Sequence, residues 1–498
     1  MQILGIATIA VAAAGYSYSW RLQSKNSYKV AVLLLVIVGA VLRIYTASDL
    51  FLHPWDERYH ALVAKNLIQH PFMPTLYDNP LLPYDLKNWP ANHIWLHKQP
   101  LPLWSMAASM SLFGVNEIAL RLPSILLSTA GIWLAYIIGT FFCDRRCGFL
   151  TAFFFSINGL IIELTGGRVA TDHIDVFFLF FVELAVVLSI LYVQRRKTIF
   201  NVLAGISLGA AILSKWLPAL VVIPIWLLLV LDSKSFKPRV LFFQFLILLS
   251  TSLIIFLPWQ VYIHHTFPLE AAWEADYNFR HFTEVVEGRT GPIYYFIDRI
   301  RINYGELIYL PLGWYLWKTI RNPGDLKRMA IVIWFLIPFF FFSVAKTKMQ
   351  GYLLFTSPAL FLMTSEFFLM IVNYRNQHGR KWIFNVLLIL LIALPARYMI
   401  ERVKPFQTTE RRLQWITDVK SLDQEMTEQG VLFNFNKPVE AMFYTDLVVY
   451  RQIPTLEVLS ELTGEGYRII INDDGKLPEK ISTLREVMFV HIDCGQAE

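Results

Sequence analysis

The chain has 498 residues, 55% of them hydrophobic and only 16% charged, with a formal net charge of +6. That charged share lies well below the roughly 25% of soluble domains, which excludes an ordinary soluble enzyme. The positive charge sits in short loops between apolar runs, so it reads as membrane topology and not as a nucleic-acid surface.

In chain order, the apolar runs predict spans at about 3–19, 28–47, 117–142, 148–166, 174–193, 200–213, 216–231, 240–257, 294–317, 329–345, 351–373 and 382–399. Apolar runs of about 17–25 residues cross a bilayer core, and in an open chain only a helix satisfies its own backbone there. The first run has no basic residue before it and has Arg21 and Lys25 after it, so it reads as a retained helix with its N-terminus outside. Alternate loops are basic: Arg21/Lys25, Arg145/Arg146, Arg195/Arg196/Lys197, Lys234/Lys237/Arg239, Lys318/Arg321/Lys327/Arg328 and Arg375/Arg380/Lys381. The positive-inside rule assigns these to the cytoplasm and the intervening loops to the outside.

Two outer segments are too long to be turns. In the first, about 48–116, Glu57 to Gln69 carries a helical apolar stripe and Pro100 to Phe113 reads as a second interfacial helix, with a proline-broken stretch between them. The second, about 258–293, opens on Pro258-Trp259 and reads as a lid-like loop. After about residue 400 short strands and helices alternate: 430–435, 448–450 and 467–471 as strands, 439–444 and 456–462 as helices. The expected fold class is therefore an α-helical polytopic membrane protein of about 11–13 transmembrane helices. It comprises a transmembrane domain over 1–400 and a small soluble α/β domain over 401–498 on the outer side. The three cysteines, Cys143, Cys147 and Cys494, offer no disulfide framework.

The chemistry-bearing residues gather at the outer ends of the spans. Trp55-Asp56-Glu57-Arg58 places two adjacent carboxylates at such an edge; Lys98, Asp172, Arg280 and Tyr352 stand at others. A charge at mid-membrane costs about 2.5–3.5 kcal/mol, so charges kept near lipid are functional candidates. The competing readings are helix capping for the acids and headgroup contact by snorkelling side chains for the cations. Asp172 and Asp175, three apart at a helix start, share a face. His93 and His97 have a metal-ligand spacing, with His53 and His60 in the same segment, but Pro90 argues against one continuous helix there.

The ordered set Trp55-Asp56-Glu57 with Tyr59-His60, Lys98-Gln99-Pro100-Leu101 with Trp104, Leu112-Phe113-Gly114 with Arg121-Leu122-Pro123-Ser124, Arg168 to Asp172, Leu213-Ser214-Lys215, Pro258-Trp259 and Lys346 to Tyr352 resembles the C-type glycosyltransferase (GT-C) superfamily. Within it, the chain is most similar to the branch of protein O-mannosyltransferases and lipid A aminoarabinose transferases. The resemblance runs over about 30–360; Thr171 departs from it, standing where a small residue or proline is common. It implies a sugar donor on a polyprenyl phosphate and an inverting transfer to a lipid, glycan or protein acceptor, with membrane lipids around it and no nucleic acid. It implies Asp56 as general base with Glu57 supporting it, Asp172 as site organiser, and Lys98, Arg280 and Tyr352 as ligands of the donor phosphate. The location implied is the bacterial inner membrane, with the active site facing the periplasm or exterior. No cofactor is required by the resemblance; a divalent metal is not expected, and His97, beside Lys98, is the best single ligand for one. The rival classes are a secondary transporter, an inactive relative serving assembly, and a polymerase or ligase of diphosphate-linked glycans. The charges lie at span edges and not mid-span, which disfavours the transporter.

Overall fold

Prolines and short polar side chains start many of the helices. In the computed structural model, Pro100, Pro238 and Pro268 each open a helix, where a missing N–H costs nothing. Asn116, Asp144, Asn158 and Asp325 accept from backbone N–H groups of the first turns that follow them. The structure describes residues 2–170, 172–234, 236–377, 381–407, 411–426, 429–482, 484 and 487–495; Thr171 and Arg380 lie outside the described residues.

The helices are α1 (Gln2–Ser24), α2 (Tyr28–Thr46), α3 (Asp56–Gln69), α4 (Pro100–Phe113), α5 (Glu117–Phe142), α6 (Arg145–Ser156), α7 (Gly159–Thr165), α8 (Asp172–Arg195), α9 (Thr198–Lys215), α10 (Val222–Asp232), α11 (Pro238–Thr266), α12 (Pro268–Thr283), α13 (Tyr295–Tyr304), α14 (Tyr309–Arg321), α15 (Leu326–Val344), α16 (Ser357–Gln377) and α17 (Lys381–Val403). Then come α18 (Gln414–Gln424), β1 (Gly430–Phe433), α19 (Pro438–Tyr444), β2 (Val448–Val449), α20 (Leu456–Gly464), β3 (Arg468–Asn472), α21 (Glu479–Ser482) and β4 (Met488–Val490).

Among the described residues, nine helices of at least 18 residues are apolar enough to cross a membrane, and α6 with α7 forms a tenth candidate bent by 51°. The chain is a polytopic helical membrane protein. Several expected spans take another form. The 294–317 run is two helices, α13 and α14, parted at Gly305, whose φ is +92°. The Pro395 ring of α17 lies 2.9 Å from where a Cβ would sit there, so only glycine allows both the turn and the approach. The 216–231 run begins as a 3-10 turn, Leu217–Val221, before α10. Finally, α11 passes Pro258 and continues to Thr266, beyond the expected end at 257.

The C-terminal strands form a parallel sheet in the order β2-β1-β3-β4. The three-residue β4 and the helix α18 were not among the elements expected from sequence. This unit shares a core with the first outer segment: Tyr59, Leu62 and Val63 of α3 pack in one cluster with Trp415, Val419, Leu432 and Phe443. Polar contacts add direction. Arg58 pairs with Glu440 at 3.1 Å, and Lys65 Nζ donates to the carbonyls of Met442 and Thr445 at 2.9 and 2.5 Å. The sheet unit therefore lies on the same side as Asp56 and braces the helix that carries it.

Candidate active site

Asp56 is the first residue of α3, and Lys98 stands two residues before α4. Their tips meet, with Lys98 Nζ 3.5 Å from Asp56 Oδ2. Both line a cavity of about 610 Å³. Its wall includes two groups of side chains in mutual contact: Phe282 and Phe341 stack on one another, and His97 lies against Trp89 and Tyr277. The lining offers both apolar and polar surface, as an amphiphile needs.

The end of α9 supplies a third wall. Trp216 holds φ +78°, a conformation that costs a non-glycine residue about 1–3 kcal/mol and clusters at functional sites. The turn presents both Lys215 and Trp216 to the cavity. Lys215 pairs with Asp175 and places its Nζ 5.3 Å from the centre of the Tyr352 ring. Tyr352, on the 3-10 turn Gln350–Thr356, lines the cavity as well.

The segment after α12 folds over this space. Lys346 N–H donates to Phe282 O at 3.1 Å, Thr347 N–H to His281 O at 3.0 Å, Val286 N–H to Thr347 Oγ1 at 2.9 Å and Lys348 N–H to Arg289 O at 3.1 Å. This lacing brings Arg289 into the cavity wall beside Glu287, 3.4 Å away. Tyr277 donates its hydroxyl to Glu287 at 2.9 Å. Arg280, the arginine singled out from sequence, does not line the cavity. It pairs with Asp276 at 3.5 Å and lies over the Tyr277 ring. Its neighbour His281 takes the cavity-facing position, and successive helix residues point about 100° apart.

The same rotation separates Glu57 from Asp56. The expectation that Glu57 supports Asp56 as a neighbouring carboxylate needs correction. Glu57 is fully buried and turned away, held by Arg121 Nε and Nη2 at 2.6 and 2.9 Å, by His173 Nε2 at 3.2 Å and by the His53 N–H at 2.8 Å. Burial alone would raise its pKa, but Arg121 and His173 together hold the carboxyl well below the usual range. Arg121 also donates to the carbonyls of Ala47, Asp49 and Phe51. Its sequence signal was an arginine early in an apolar span; its role is to fasten the start of α3 to α5.

Asp172 lies behind the cavity and does not line it. It is fully buried, 2.9 Å from His60 Nδ1. The two contacts Glu57–His173 and His60–Asp172 zip α3 to the start of α8, one turn apart.

His97 is caught between aromatic rings: it stacks on Trp89 at 4.3 Å with planes 1° apart, and Tyr277 stands 5.4 Å away. Its Nδ1 faces Glu274 Oε2 at 3.4 Å. Burial and the Lys98 cation hold its pKa below the ordinary histidine value, so the ring is neutral at pH 7. Among the described residues, no three His, Cys, Asp or Glu side chains converge as metal ligands. His93 points elsewhere, its Nδ1 2.6 Å from Tyr77 O.

The solved structure of ArnT from Cupriavidus metallidurans in the apo state matches with a TM-score of 0.62 at 16% identity, covering 92% of this chain and 96% of that one. The structure of ArnT from the same organism bound to undecaprenyl phosphate gives 0.61 at 17% identity, covering 87% and 88%.

The chain has the GT-C fold.

The chain is also similar in sequence to proteins of this kind. Residues 97–262 match the family model described as dolichyl-phosphate-mannose-protein mannosyltransferase. An undecaprenyl phosphate-alpha-4-amino-4-deoxy-L-arabinose arabinosyl transferase of Pseudomonas aeruginosa is 24% identical over 294 residues, 54% of this chain and 49% of that protein. The chain thus spans about half the length of such relatives. The matched family region begins at His97-Lys98, inside the cavity, and ends in α11.

Proposed function

We propose that the chain is an inverting glycosyltransferase. It takes one sugar from a polyprenyl-phosphate donor and passes it to a hydroxyl of a lipid, glycan or protein acceptor at the extracytoplasmic rim of the bacterial inner membrane. The observation that carries this reading is the 3.5 Å contact of Asp56 and Lys98 at a cavity lined by both apolar and polar side chains. The apolar side chains suit the first prenyl units, the cations suit the phosphate, and the polar ones suit the sugar.

The chemistry follows from these groups. The bond from the anomeric carbon to the phosphate oxygen breaks, the acceptor oxygen bonds to that carbon from the opposite face, and the acceptor proton passes to Asp56. The leaving phosphate goes from one negative charge to about two. Lys98 and Arg289 answer this added charge, with the Tyr352 hydroxyl as a further donor. Lys215, held by Asp175, adds a fixed cation nearby. Asp172 and Glu57 act from behind, by fixing α3 through His60 and Arg121. Arg280 is assigned to the outer face of α12.

The test is transfer of labelled sugar from an undecaprenyl-phosphate donor by membranes that carry the chain. Asp56→Asn should abolish transfer while leaving expression and undecaprenyl-phosphate binding intact. Normal turnover by that variant would remove the mechanism.

A further inference from the structure

His97 is not used by the mechanism above, yet it lines the cavity next to Lys98. Its Nδ1 edge is turned to Glu274, which lies outside the cavity wall, while the ring itself lines the cavity. A carboxylate oxygen accepts hydrogen bonds, so a single ring proton facing Glu274 belongs on Nδ1, which leaves the lone pair on Nε2. Among the described residues Nε2 has no hydrogen-bond partner. The ring cannot turn to find one, because Trp89 stacks flat on it and Trp95 and Tyr277 flank it. Glu274 is itself only 6% exposed. A part-buried, oriented acceptor lining a cavity favours ligands that carry an O–H or N–H group at that point over those that lack it.

We infer that His97, oriented by Glu274, is the specificity-determining residue for the transferred sugar, with Nε2 accepting a hydrogen bond from a ring hydroxyl or amino group of the donor's sugar. It adjoins Lys98 in the chain and lies against Trp89 and Tyr277 and not against the Phe282–Phe341 pair, which suits contact with a sugar whose phosphate Lys98 holds. Glu274 is a positioning residue that acts through His97, and Trp89 fixes the plane in which the acceptor points. The inference rests on reading the cavity as a donor site.

The test is a binding comparison on the full chain in lipid nanodiscs. Undecaprenyl phosphate without sugar is titrated beside undecaprenyl-phosphate mannose, glucose and 4-amino-4-deoxyarabinose. The wild type should bind at least one sugar-bearing lipid about fivefold more tightly than the bare one, the worth of one oriented hydrogen bond. His97→Phe keeps a flat ring on Trp89 but has no acceptor; it should erase that preference and leave bare-lipid affinity unchanged. Glu274→Leu should weaken the preference and Glu274→Gln, which can still accept from Nδ1, should retain it. A preference that survives His97→Phe, or a wild type that prefers none of the three sugars, overturns the inference. Failure of the wild type to bind bare undecaprenyl phosphate would overturn the donor-site reading instead, and the inference with it.

Discussion

The ammonium of Lys98 stands 3.5 Å from the carboxylate of Asp56, and the two come from stretches of chain separated by a proline-broken loop. Each cavity cation discussed above has such a carboxylate: Lys98 has Asp56, Lys215 has Asp175 and Arg289 has Glu287. On the proposed reading, an arriving phosphate would compete with those carboxylates for the same N–H groups, and where it takes Lys98 it would loosen that residue's pair with Asp56.

The two lid arginines should separate by function. Arg289→Ala should lower undecaprenyl-phosphate affinity by about tenfold, as expected for a lost charge-assisted hydrogen bond. Arg280→Ala should change it by no more than about twofold, because an exposed ion pair such as Arg280–Asp276 contributes little. Titration of both variants with undecaprenyl phosphate checks this; the reverse ranking would restore Arg280 as the ligand.

Removing one partner of the Glu57–Arg121 pair should destabilise the fold. Each variant, Glu57→Leu or Arg121→Met, leaves a fully buried charge uncompensated, at a cost of about 3–5 kcal/mol. Thermal unfolding in detergent should show a large drop for either single variant and partial recovery for the double. Single variants that melt with the wild type would show the pair to be dispensable.

Acid should loosen the same corner. Burial raises the pKa of Asp49, but the hydrogen bond from His53 and the charges of Arg168 and Arg411 outweigh it and hold Asp49 down to about 2. Glu57 is shifted the same way. A depressed carboxyl contributes stability that is fully present above its unfolded pKa of about 4 and is lost as pH falls through the folded value. The melting temperature should therefore fall between about pH 4 and pH 2, and Asp49→Asn should show a shallower fall than the wild type. An equal fall in both would remove Asp49 from the explanation.

The C-terminal unit should come loose when its polar anchors are cut. Lys65→Met removes the donor to the carbonyls of Met442 and Thr445, and Arg58→Ala removes the pair with Glu440. The double variant should expose α18 (Gln414–Gln424) to protease faster than the wild type. Unchanged digestion would mean that the shared apolar core holds the unit alone.

Much of this was legible in the sequence, for identifiable reasons. The amphipathic stripe of Glu57 to Gln69 and the proline at residue 100 marked α3 and α4, since apolar spacing and proline position act locally. Asp56 and Lys98 could be named but not joined, because their meeting depends on how the loop between them folds. The rotation that sends Glu57 into Arg121, and Arg289 in place of Arg280 into the cavity, is set by packing between distant helices. The break at Gly305 was hidden because its cause, the ring of Pro395, is far along the chain. The three-residue β4 was too short to carry a pattern of its own.

The central claim is that Asp56 and Lys98 face one anionic ligand with opposite effect, and undecaprenyl-phosphate affinity measured for Lys98→Ala beside Asp56→Asn tests it most directly. Lys98→Ala should bind at least about tenfold more weakly. Asp56→Asn, freed of a competing carboxylate, should bind as tightly as the wild type or more so. Lys98→Ala binding like the wild type, or both variants weakening together, would contradict the account.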